Sequence, residues 1–556
     1  MPAPTTPRRT APPTQADVFP RHNVALALAG GLGMWLGFPN EFTHIPLCAL
    51  IYPAALCLLG FHARSAGEAL RFGWITGLVG ASLALRWLSV PVQEVGGLPL
   101  WLATPCAVAI GAYVGVYGGL FAVGAWLARG APCWALAVGL GALWYLLELA
   151  RGLLFTGFPW LALAAAFAPW PFMTQGAHLV GGYALGGILA SAACLVALGT
   201  RVRYASHVAA LLLAIIAGYG ALRLQEAPPL VPQSGAAAPV PHGALACVLV
   251  EGNIDQNQKW DKALQTFTLE TYAGLTRQAL AEAAAQAPAN GGDKPLVIWP
   301  ETAMPFYLTH PAMGPALRQF VAETGTSLLV GAPGVERPTP KNFNIFNRAY
   351  LIAPSGETVG WYDKMHLVPF GEYVPPFLGF DFLQRLLQGV GDFTPGKASA
   401  PLPLPQHAGT RLGVLLCYEA IFPELALQRV QDGATVLVNI SNDGWFGTSA
   451  APAQHLQLAV LRAVEQERWL VRGTNTGISA IIDPYGRVAL RGRQFQREAL
   501  HGHCWTKSSR SVYFNLHGIL PWLALGLLAL AGAAAQGLRG RLSTQHKPRH
   551  GHVATF

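Results

Sequence analysis

The stretch Gly413-Val414-Leu415-Leu416-Cys417-Tyr418-Glu419 ends a short apolar run with a thiol and a carboxylate, directly before a helix-like segment at 423–432. A short apolar run followed by polar residues is typical of a buried strand. A cysteine at a strand-to-turn position can expose a nucleophile at the edge of a sheet, near backbone N–H groups that could bind an oxyanion. By itself, a cysteine after such an apolar run is more often buried and inert.

Similar apolar runs alternate with helix-like stretches on both sides of Cys417. The runs are ALACVLVEGNI, PLVIWPE, TSLLVGAP, RAYLIAP, ATVLVNIS and GISAIIDP, and the other helix-like stretches lie at 261–286, 311–324 and 452–468. This alternation predicts an extramembrane α/β domain over residues 244–505. The preceding stretch 225–243 is rich in Pro, Ala and Gly, which is typical of a linker.

Two further strand ends carry residues that could take part in chemistry with Cys417. Glu301 follows a strand-like run and a proline, and Lys364 lies among aromatic and apolar residues. Either one alone could be a solvated surface charge. Together they form a chemical set, because a cation favours the thiolate form of a cysteine and a carboxylate can move its proton. They are too far apart for a local motif but suit three loops at one sheet edge.

The rest of the chain is strongly apolar. Of the 556 residues, 52% are apolar and only 12% are charged, well below the roughly 25% charged residues of soluble domains. Most of the apolar runs are long enough to cross about 30 Å of hydrocarbon as helices. They lie at 24–38, 45–61, 72–90, 100–128, 132–154, 172–199, 205–223 and 516–536. We therefore expect a multi-pass bundle of about eight transmembrane helices.

These patterns divide the chain into six parts. The parts are a disordered basic tail at 1–22, a seven-helix transmembrane bundle at 23–224, the linker at 225–243, the α/β domain at 244–505, a last transmembrane helix with its lead-in at 506–537, and a basic tail at 538–556. Alternate loops, at 39–44, 91–99 and 155–171, hold no Lys or Arg. The positive-inside rule therefore predicts cytoplasmic termini and a periplasmic α/β domain.

Charge and cysteine usage exclude other classes of function. The net charge of +9 could suit nucleic acid, but many basic residues lie in short loops and tails beside apolar runs, where they act as topology signals. We expect no nucleic-acid partner. The eight cysteines form no CxxC and no Cys/His cluster with zinc spacing, so we expect neither a metal site nor a disulfide framework.

Three charged residues fall within or beside the predicted membrane helices. Glu148 and Arg151 are three positions apart on one helix face and could simply pair. Ionisable residues inside a membrane are costly, which makes them candidates for a functional or architectural role. Arg86 could extend to the membrane interface or bind a lipid phosphate.

Several motifs carry a resemblance to a known family. WPE, DKMHLVPFGEYVP, LLCYEAIFPE and NISNDGWF together resemble the nitrilase superfamily. With PFGEYVP and SNDGWFG set behind membrane helices, the chain is similar to the apolipoprotein N-acyltransferase family, as are its segments 148–160, 251–260 and 462–479. One departure is the segment 506–511, which lacks the Gly-Asp that the family usually shows before its last helix.

The resemblance implies an αββα sandwich of two sheets that carries a catalytic triad. In the triad, Glu301 would be the general base, Lys364 would bind the oxyanion and Cys417 would be the nucleophile. The resemblance further implies that four residues support the site. They are Glu372, an essential residue near the triad, Tyr418 and Glu419 beside the nucleophile, and Trp260 on a mobile loop. No cofactor is implied.

The resemblance also implies a reaction. A fatty acyl chain would pass from a glycerophospholipid, such as phosphatidylethanolamine, through a thioester on Cys417. The acceptor would be the amine of the diacylglyceryl-cysteine that begins an apolipoprotein, in the last step of lipoprotein maturation at the bacterial inner membrane. Two alternatives are a membrane-anchored nitrilase-type amidase and a non-enzymatic membrane scaffold or transport protein. The apolar segment 375–380 could be a lipid-facing lid or an ordinary packed loop.

Overall fold

The computed structural model describes residues 21–94, 96–97, 99–230, 242–256, 258–286, 294–339, 342–373 and 393–545, with side chains to residue 537. The expected lid at 375–380 lies outside the described residues. So do most of the expected N-terminal tail, linker and C-terminal tail.

Helices form the apolar part of the chain. They are α1 (Arg21–Gly37), α2 (Ile51–His62), α3 (Ala66–Ala84), α4 (Ser89–Glu94), α5 (Leu100–Leu127), α6 (Cys133–Leu153), α7 (Pro171–Thr174), α8 (Ala177–Ala197) and α9 (Ala205–Gln225), with α14 (Val512–Leu516) and α15 (Leu520–Gln545) after the α/β domain. Each of the eight apolar runs contains a helix. Glycines permit close packing between α3 and α5: a Cβ added at Gly77 would lie 2.7 Å from Gly115 Cα.

Five helices of the described chain are long and apolar enough to cross a membrane. These spans are Leu100–Leu127, Cys133–Thr156, Ala177–Ala197, Ala205–Gln225 and Leu520–Gly537. The pair Ala66–Ala84 and Arg86–Glu94, bent by 60°, makes a sixth if it is one span. The helix α1 has 17 residues, and Pro46–His62 is a shorter apolar helix. A helical membrane part is therefore present, but about eight crossings stays a prediction.

Two six-stranded sheets form the α/β domain. Their strands are β1 (Leu245–Glu251), β2 (Leu296–Ile298), β3 (Leu328–Glu336), β4 (Asn344–Ile352), β5 (Thr358–Asp363), β6 (Leu402–Pro403), β7 (Arg411–Leu416), β8 (Val436–Ser441), β9 (Leu470–Thr474), β10 (Ala480–Ile482), β11 (Val488–Arg491) and β12 (Glu498–Cys504). The strand orders are β12-β1-β2-β3-β4-β5 and β11-β10-β9-β8-β7-β6.

Alternating side chains bury both faces of each sheet. Leu249 and Ile298 of the first sheet pack with Val414 and Val438 of the second in one buried cluster between the sheets. On the outer faces lie α10 (Gln265–Gln286) and α11 (Met313–Thr324) for the first sheet, and α12 (Pro423–Gln431) and α13 (Ala451–Gln466) for the second. The layers therefore follow the αββα order that the resemblance implied.

The strand directions bring three loops to one edge of the sandwich. In the first sheet β2 runs parallel to β3, and β5 returns to that direction through the antiparallel β4. In the second sheet β7, β8 and β9 are parallel. The carboxyl ends of β2, β5 and β7 precede Glu301, Lys364 and Cys417. The topology thus gives these three distant residues a common location.

Candidate active site

Glu301, Lys364 and Cys417 are buried together at this edge. Lys364 Nζ lies 3.1 Å from Glu301 Oε1 and 2.9 Å from Glu372 Oε1. Cys417 directly follows β7 and is 7% exposed. The charges of Glu301 and Lys364 both act on its thiol. Four of the residues that the sequence nominated therefore share one site.

Asn347, on β4, joins the two carboxylates and was missed in the sequence. Its amide Nδ2 donates to Glu301 Oε1 and to Glu372 Oε1, at 2.7 Å in each case. Backbone N–H groups hold the other oxygens, from Asn442 to Glu301 at 3.0 Å and from Val368 to Glu372 at 2.8 Å. An asparagine in the middle of a strand-like run, followed by an arginine, is a signal that could have revealed it, because buried polar groups need partners.

Electrostatics keep Glu301 and Lys364 ionised. Burial opposes the charge of Glu301, but Lys364 and the Asn347 amide outweigh it and lower the pKa of that carboxyl. Burial likewise opposes the charge of Lys364, and Glu301 and Glu372 outweigh it, so that the pKa of the ammonium is raised well above its usual value. The site therefore holds a carboxylate that can accept a proton and a lysine that stays positively charged.

The Cys417 thiol is protonated in this resting arrangement. Burial and the charge of Glu301 raise its pKa, and Lys364 offsets only part of that effect. The backbone of Cys417 is left-handed, with φ of 47°, a conformation that costs about 1–3 kcal/mol for a residue other than glycine. The protonated thiol needs a base at the moment of reaction, and the ionised Glu301, whose charge acts on the thiol, can serve as that base.

The two residues after Cys417 connect it to its surroundings. The buried carboxylate of Glu419 accepts from the backbone N–H groups of Met365, His366 and Leu416, at 2.7, 3.1 and 2.7 Å. It thereby ties the loop after Lys364 to the strand before Cys417. Tyr418 donates its hydroxyl to the Gly157 carbonyl at 3.2 Å, and so contacts the loop after α6.

Lys259 is a second buried lysine that the sequence reading did not assign to the site. It is 1% exposed, and its Nζ donates to Thr302 Oγ1 at 2.7 Å and to the Glu301 carbonyl at 3.3 Å. Burial lowers its pKa to about 7, although Glu301 and Cys417 act in the opposite direction. The next residue, Trp260, is 47% exposed, which places it at the rim.

In the described chain, Glu148, Arg151 and Arg86 form their hydrogen bonds and ion pairs with residues outside the triad. Arg151 Nη2 is 3.9 Å from Glu148 Oε1, and both side chains are buried. Glu148 accepts from the backbone N–H of Leu163 at 2.8 Å and Arg151 donates to the Leu161 carbonyl at 3.3 Å, so the pair braces the loop after α6. Arg86 pairs with Glu41 at 2.7 Å. In the described part of the chain, no group of three or more His, Cys, Asp or Glu could hold a metal ion.

The α/β domain is a nitrilase-like domain of the carbon-nitrogen hydrolase class, as its two-sheet sandwich and a family comparison show. Residues 255–510 match the carbon-nitrogen hydrolase family. Among solved structures, Nit3 of Saccharomyces cerevisiae, a member of branch 10 of the nitrilase superfamily, is 17% identical, covering 52% of this chain and 97% of that one, with a TM-score of 0.35. An amidase from Nesterenkonia sp. is 19% identical, covering 50% of this chain and 94% of that one, with a TM-score of 0.33.

Comparison with whole proteins identifies the family within the carbon-nitrogen hydrolase class to which the chain belongs. Residues 30–195 match the apolipoprotein N-acyltransferase N-terminal domain. The chain is 34% identical to apolipoprotein N-acyltransferase of Geobacter metallireducens, over 93% of this chain and 96% of that protein. The Pseudomonas aeruginosa LESB58 protein of that name is 35% identical, over 93% of this chain and 94% of that protein. This chain belongs to the apolipoprotein N-acyltransferase family and is a membrane enzyme, as its motifs predicted.

Proposed function

We propose that this chain transfers a fatty acyl chain from a glycerophospholipid, through a thioester on Cys417, to the N-terminal amine of diacylglyceryl-cysteine in an apolipoprotein. Family membership supports the reaction class. The observation that carries the mechanism is the contact of Lys364 with Glu301, at 3.1 Å, beside the buried Cys417. A nucleophile, a base and a cation in one buried place are the parts that acyl transfer requires.

In the first half-reaction, Glu301 takes the proton of the Cys417 thiol and the sulfur attacks the carbonyl carbon of the phospholipid ester. Lys364 and backbone N–H groups near Tyr418 stabilise the oxyanion of the tetrahedral intermediate. The carbon–oxygen bond then breaks, and Glu301 returns the proton to the departing lysophospholipid. The product on the protein is a thioester.

In the second half-reaction, the amine of the acceptor attacks the thioester carbonyl. Glu301 takes a proton from the amine, the carbon–sulfur bond breaks, and the sulfur regains a proton as the amide forms. Because the first product leaves before the acceptor reacts, the kinetics are ping-pong. Glu301 serves both halves because the same carboxylate can accept and donate the proton.

The membrane arrangement that we propose follows from the substrates and the charges. Both substrates carry long acyl chains, and each buried CH₂ contributes about 0.8 kcal/mol, so a site at the membrane surface avoids their extraction into water. The domain division 1–22, 23–224, 225–243, 244–505, 506–537 and 538–556 is part of this proposal. So are eight crossings, cytoplasmic termini and a periplasmic catalytic domain in a bacterial inner membrane, supported by the distribution of basic residues.

Mass spectrometry of the purified protein tests the proposed reaction. Wild type and Cys417→Ser are incubated with phosphatidylethanolamine in nanodiscs, and then with a diacylated lipopeptide. We expect wild type alone to gain a hydroxylamine-sensitive acyl group on Cys417 and to pass it to the peptide amine. Release of the acyl group only to water would make the chain a hydrolase, and its failure to form on Cys417 would refute the mechanism.

A further inference from the structure

The backbone carbonyl of Cys417 is held by two buried side chains. His455 Nε2 lies 3.1 Å from that oxygen, and Asn439 Nδ2 donates to it at 3.4 Å. The guanidinium of Arg472 orients both, because it donates to Asn439 Oδ1 and lies 3.1 Å from His455 Nδ1. Arginine has no acceptor. The Cys417 carbonyl only accepts, so Nε2 of a neutral His455 carries the proton that it donates to that oxygen. Nδ1 then accepts from Arg472, and Asp443 Oδ1 lies 3.3 Å from the same nitrogen.

The hydrogen bonds to the Cys417 carbonyl act on a residue whose backbone is strained. The left-handed φ of Cys417 persists only when the surroundings over-determine it. A hydrogen bond to the carbonyl of that residue limits rotation of the peptide that directs the thiol. The direction of the sulfur therefore depends on the position of His455, and hence on the position of α13.

The residue before His455 fixes α13 to the membrane bundle. Gln454 Oε1 accepts from the indole N–H groups of Trp87 and Trp160, at 3.1 and 2.7 Å. Its Nε2 donates to the carbonyls of Pro39 and Ala84, at 2.8 and 3.0 Å. Indoles only donate and carbonyls only accept, so the orientation of the amide is determined. One buried side chain thus joins the loop after α1, the end of α3 and the loop after α6.

We propose that Gln454 and His455 form a positioning pair that sets the backbone of Cys417 according to the seating of the catalytic domain on the membrane helices. The inference rests on the proposed thioester function. Gln454 faces the membrane helices and its neighbour His455 faces Cys417. The two residues are adjacent on α13, so no flexible segment separates them. The nucleophile is then directed correctly only when the domain sits on the bundle that delivers the lipid substrate.

Pre-steady-state acylation of the full-length protein tests the positioning pair. Wild type and variants in phosphatidylethanolamine nanodiscs are quenched at short times, and the thioester on Cys417 is quantified. The amplitude of the first turnover counts folded active sites, and its rate reports their alignment. The test variants are Gln454→Leu, His455→Phe and His455→Gln, since a glutamine amide can place an N–H near the position of Nε2. The control is Gln466→Leu, a buried residue of the same helix whose amide has no hydrogen-bond partner in the described chain.

We expect Gln454→Leu and His455→Phe to acylate about tenfold more slowly, with wild-type amplitude and an unchanged KM for the phospholipid. His455→Gln and Gln466→Leu should stay within about twofold of wild type, since neither removes the donor to Cys417. A wild-type rate for Gln454→Leu, or a loss of amplitude without a change in rate, would overturn the proposal. If wild type itself forms no thioester on Cys417, the proposed function fails and this inference fails with it.

Discussion

At the scale of single residues, Lys259 shows how burial lowers the pKa of a lysine. Within the described residues, its ammonium donates to a threonine hydroxyl and a backbone carbonyl and contacts no carboxylate. Burial therefore outweighs the attraction of Glu301 and lowers the pKa to about 7. Lys364 is equally buried but contacts two carboxylates, so its pKa moves in the opposite direction. Two lysines of one site thus differ through their neighbours.

Lys259 gives the stability of the protein a pH dependence. Its pKa is about 7 in the folded chain and 10.5 when exposed, so between these values the unfolded state binds more protons and stability rises with pH. We expect a contribution to this slope of up to about 1.4 kcal/mol per pH unit. Lys259→Met should remove it, as measured by unfolding in detergent from pH 7 to pH 9. The exposed Lys262→Met is the control, and an unchanged slope in Lys259→Met would contradict the argument.

We expect Asn347 to influence the pH at which Glu301 can act as the base. Its amide helps to lower the pKa of Glu301, so Asn347→Leu should raise that pKa. Because Glu301 accepts protons only when ionised, the acid limb of the rate of Cys417 acylation should move to higher pH. The pH profile of acylation measures this shift, with Asn342→Leu in the exposed turn before β4 as control. A limb that stays in place would show that Asn347 does not act on Glu301.

At the scale of elements, glycines decide how closely the membrane helices pack. Gly77 on α3 faces Gly115 on α5, and Tyr52 Oη lies 2.8 Å from the position of an added Cβ. Without apolar driving force in lipid, association of helices depends on such close contact. The short separation of α3 and α5 is therefore a consequence of small residues at matching positions.

A larger side chain at Gly77 should separate these helices. We expect Gly77→Leu to destabilise the protein by about 1–3 kcal/mol, the usual effect of overpacking, and to lower the thermal unfolding temperature in detergent. Gly218→Leu on α9 should have little effect, because nothing lies within 4 Å of an added Cβ there. Equal unfolding temperatures for the two variants would contradict the packing argument.

At the scale of the whole molecule, the catalytic domain and the membrane helices meet through polar as well as apolar contacts. Gln454, Tyr418 and Glu465 each form hydrogen bonds across this junction, to Trp160, to the Gly157 carbonyl and to the Gly182 N–H. Such directional contacts permit one seating of the sandwich. We expect this seating to keep the proposed active-site edge within reach of a lipid in the membrane.

The proposed orientation in the membrane is testable by labelling. In a Cys106→Ser background, Ser355→Cys introduces a thiol at an exposed turn of the catalytic domain, and Ser65→Cys introduces one between α2 and α3. We expect a membrane-impermeant maleimide to label position 355 in intact spheroplasts, because the proposed topology places the domain in the periplasm. Position 65 should react only after permeabilisation, since the positive-inside rule puts it in the cytoplasm. The reverse pattern would invert the topology.

Much of the architecture could be predicted from the sequence alone. Helix-like and strand-like patterns predicted the elements around β7, because local periodicity reports which side of an element is buried. About eight membrane crossings stays a prediction, because α1 and the helix at Pro46–His62 are short. Glu301, Lys364 and Cys417 were identified as a set through their strand-end positions and a family resemblance, which name the residues but give no distances between them.

By itself, the sequence determined the division into a membrane part and an α/β domain, the family, and the residues at the ends of β2, β5 and β7. These properties depend on composition, periodicity and short motifs, all of which are local. Only the tertiary structure decided that Asn347 and Lys259 join the site and that Arg472, His455 and Gln454 connect Cys417 to the membrane helices. The physical reason is that a buried polar group is defined by its partners, and these partners come from strands and helices far apart in the chain.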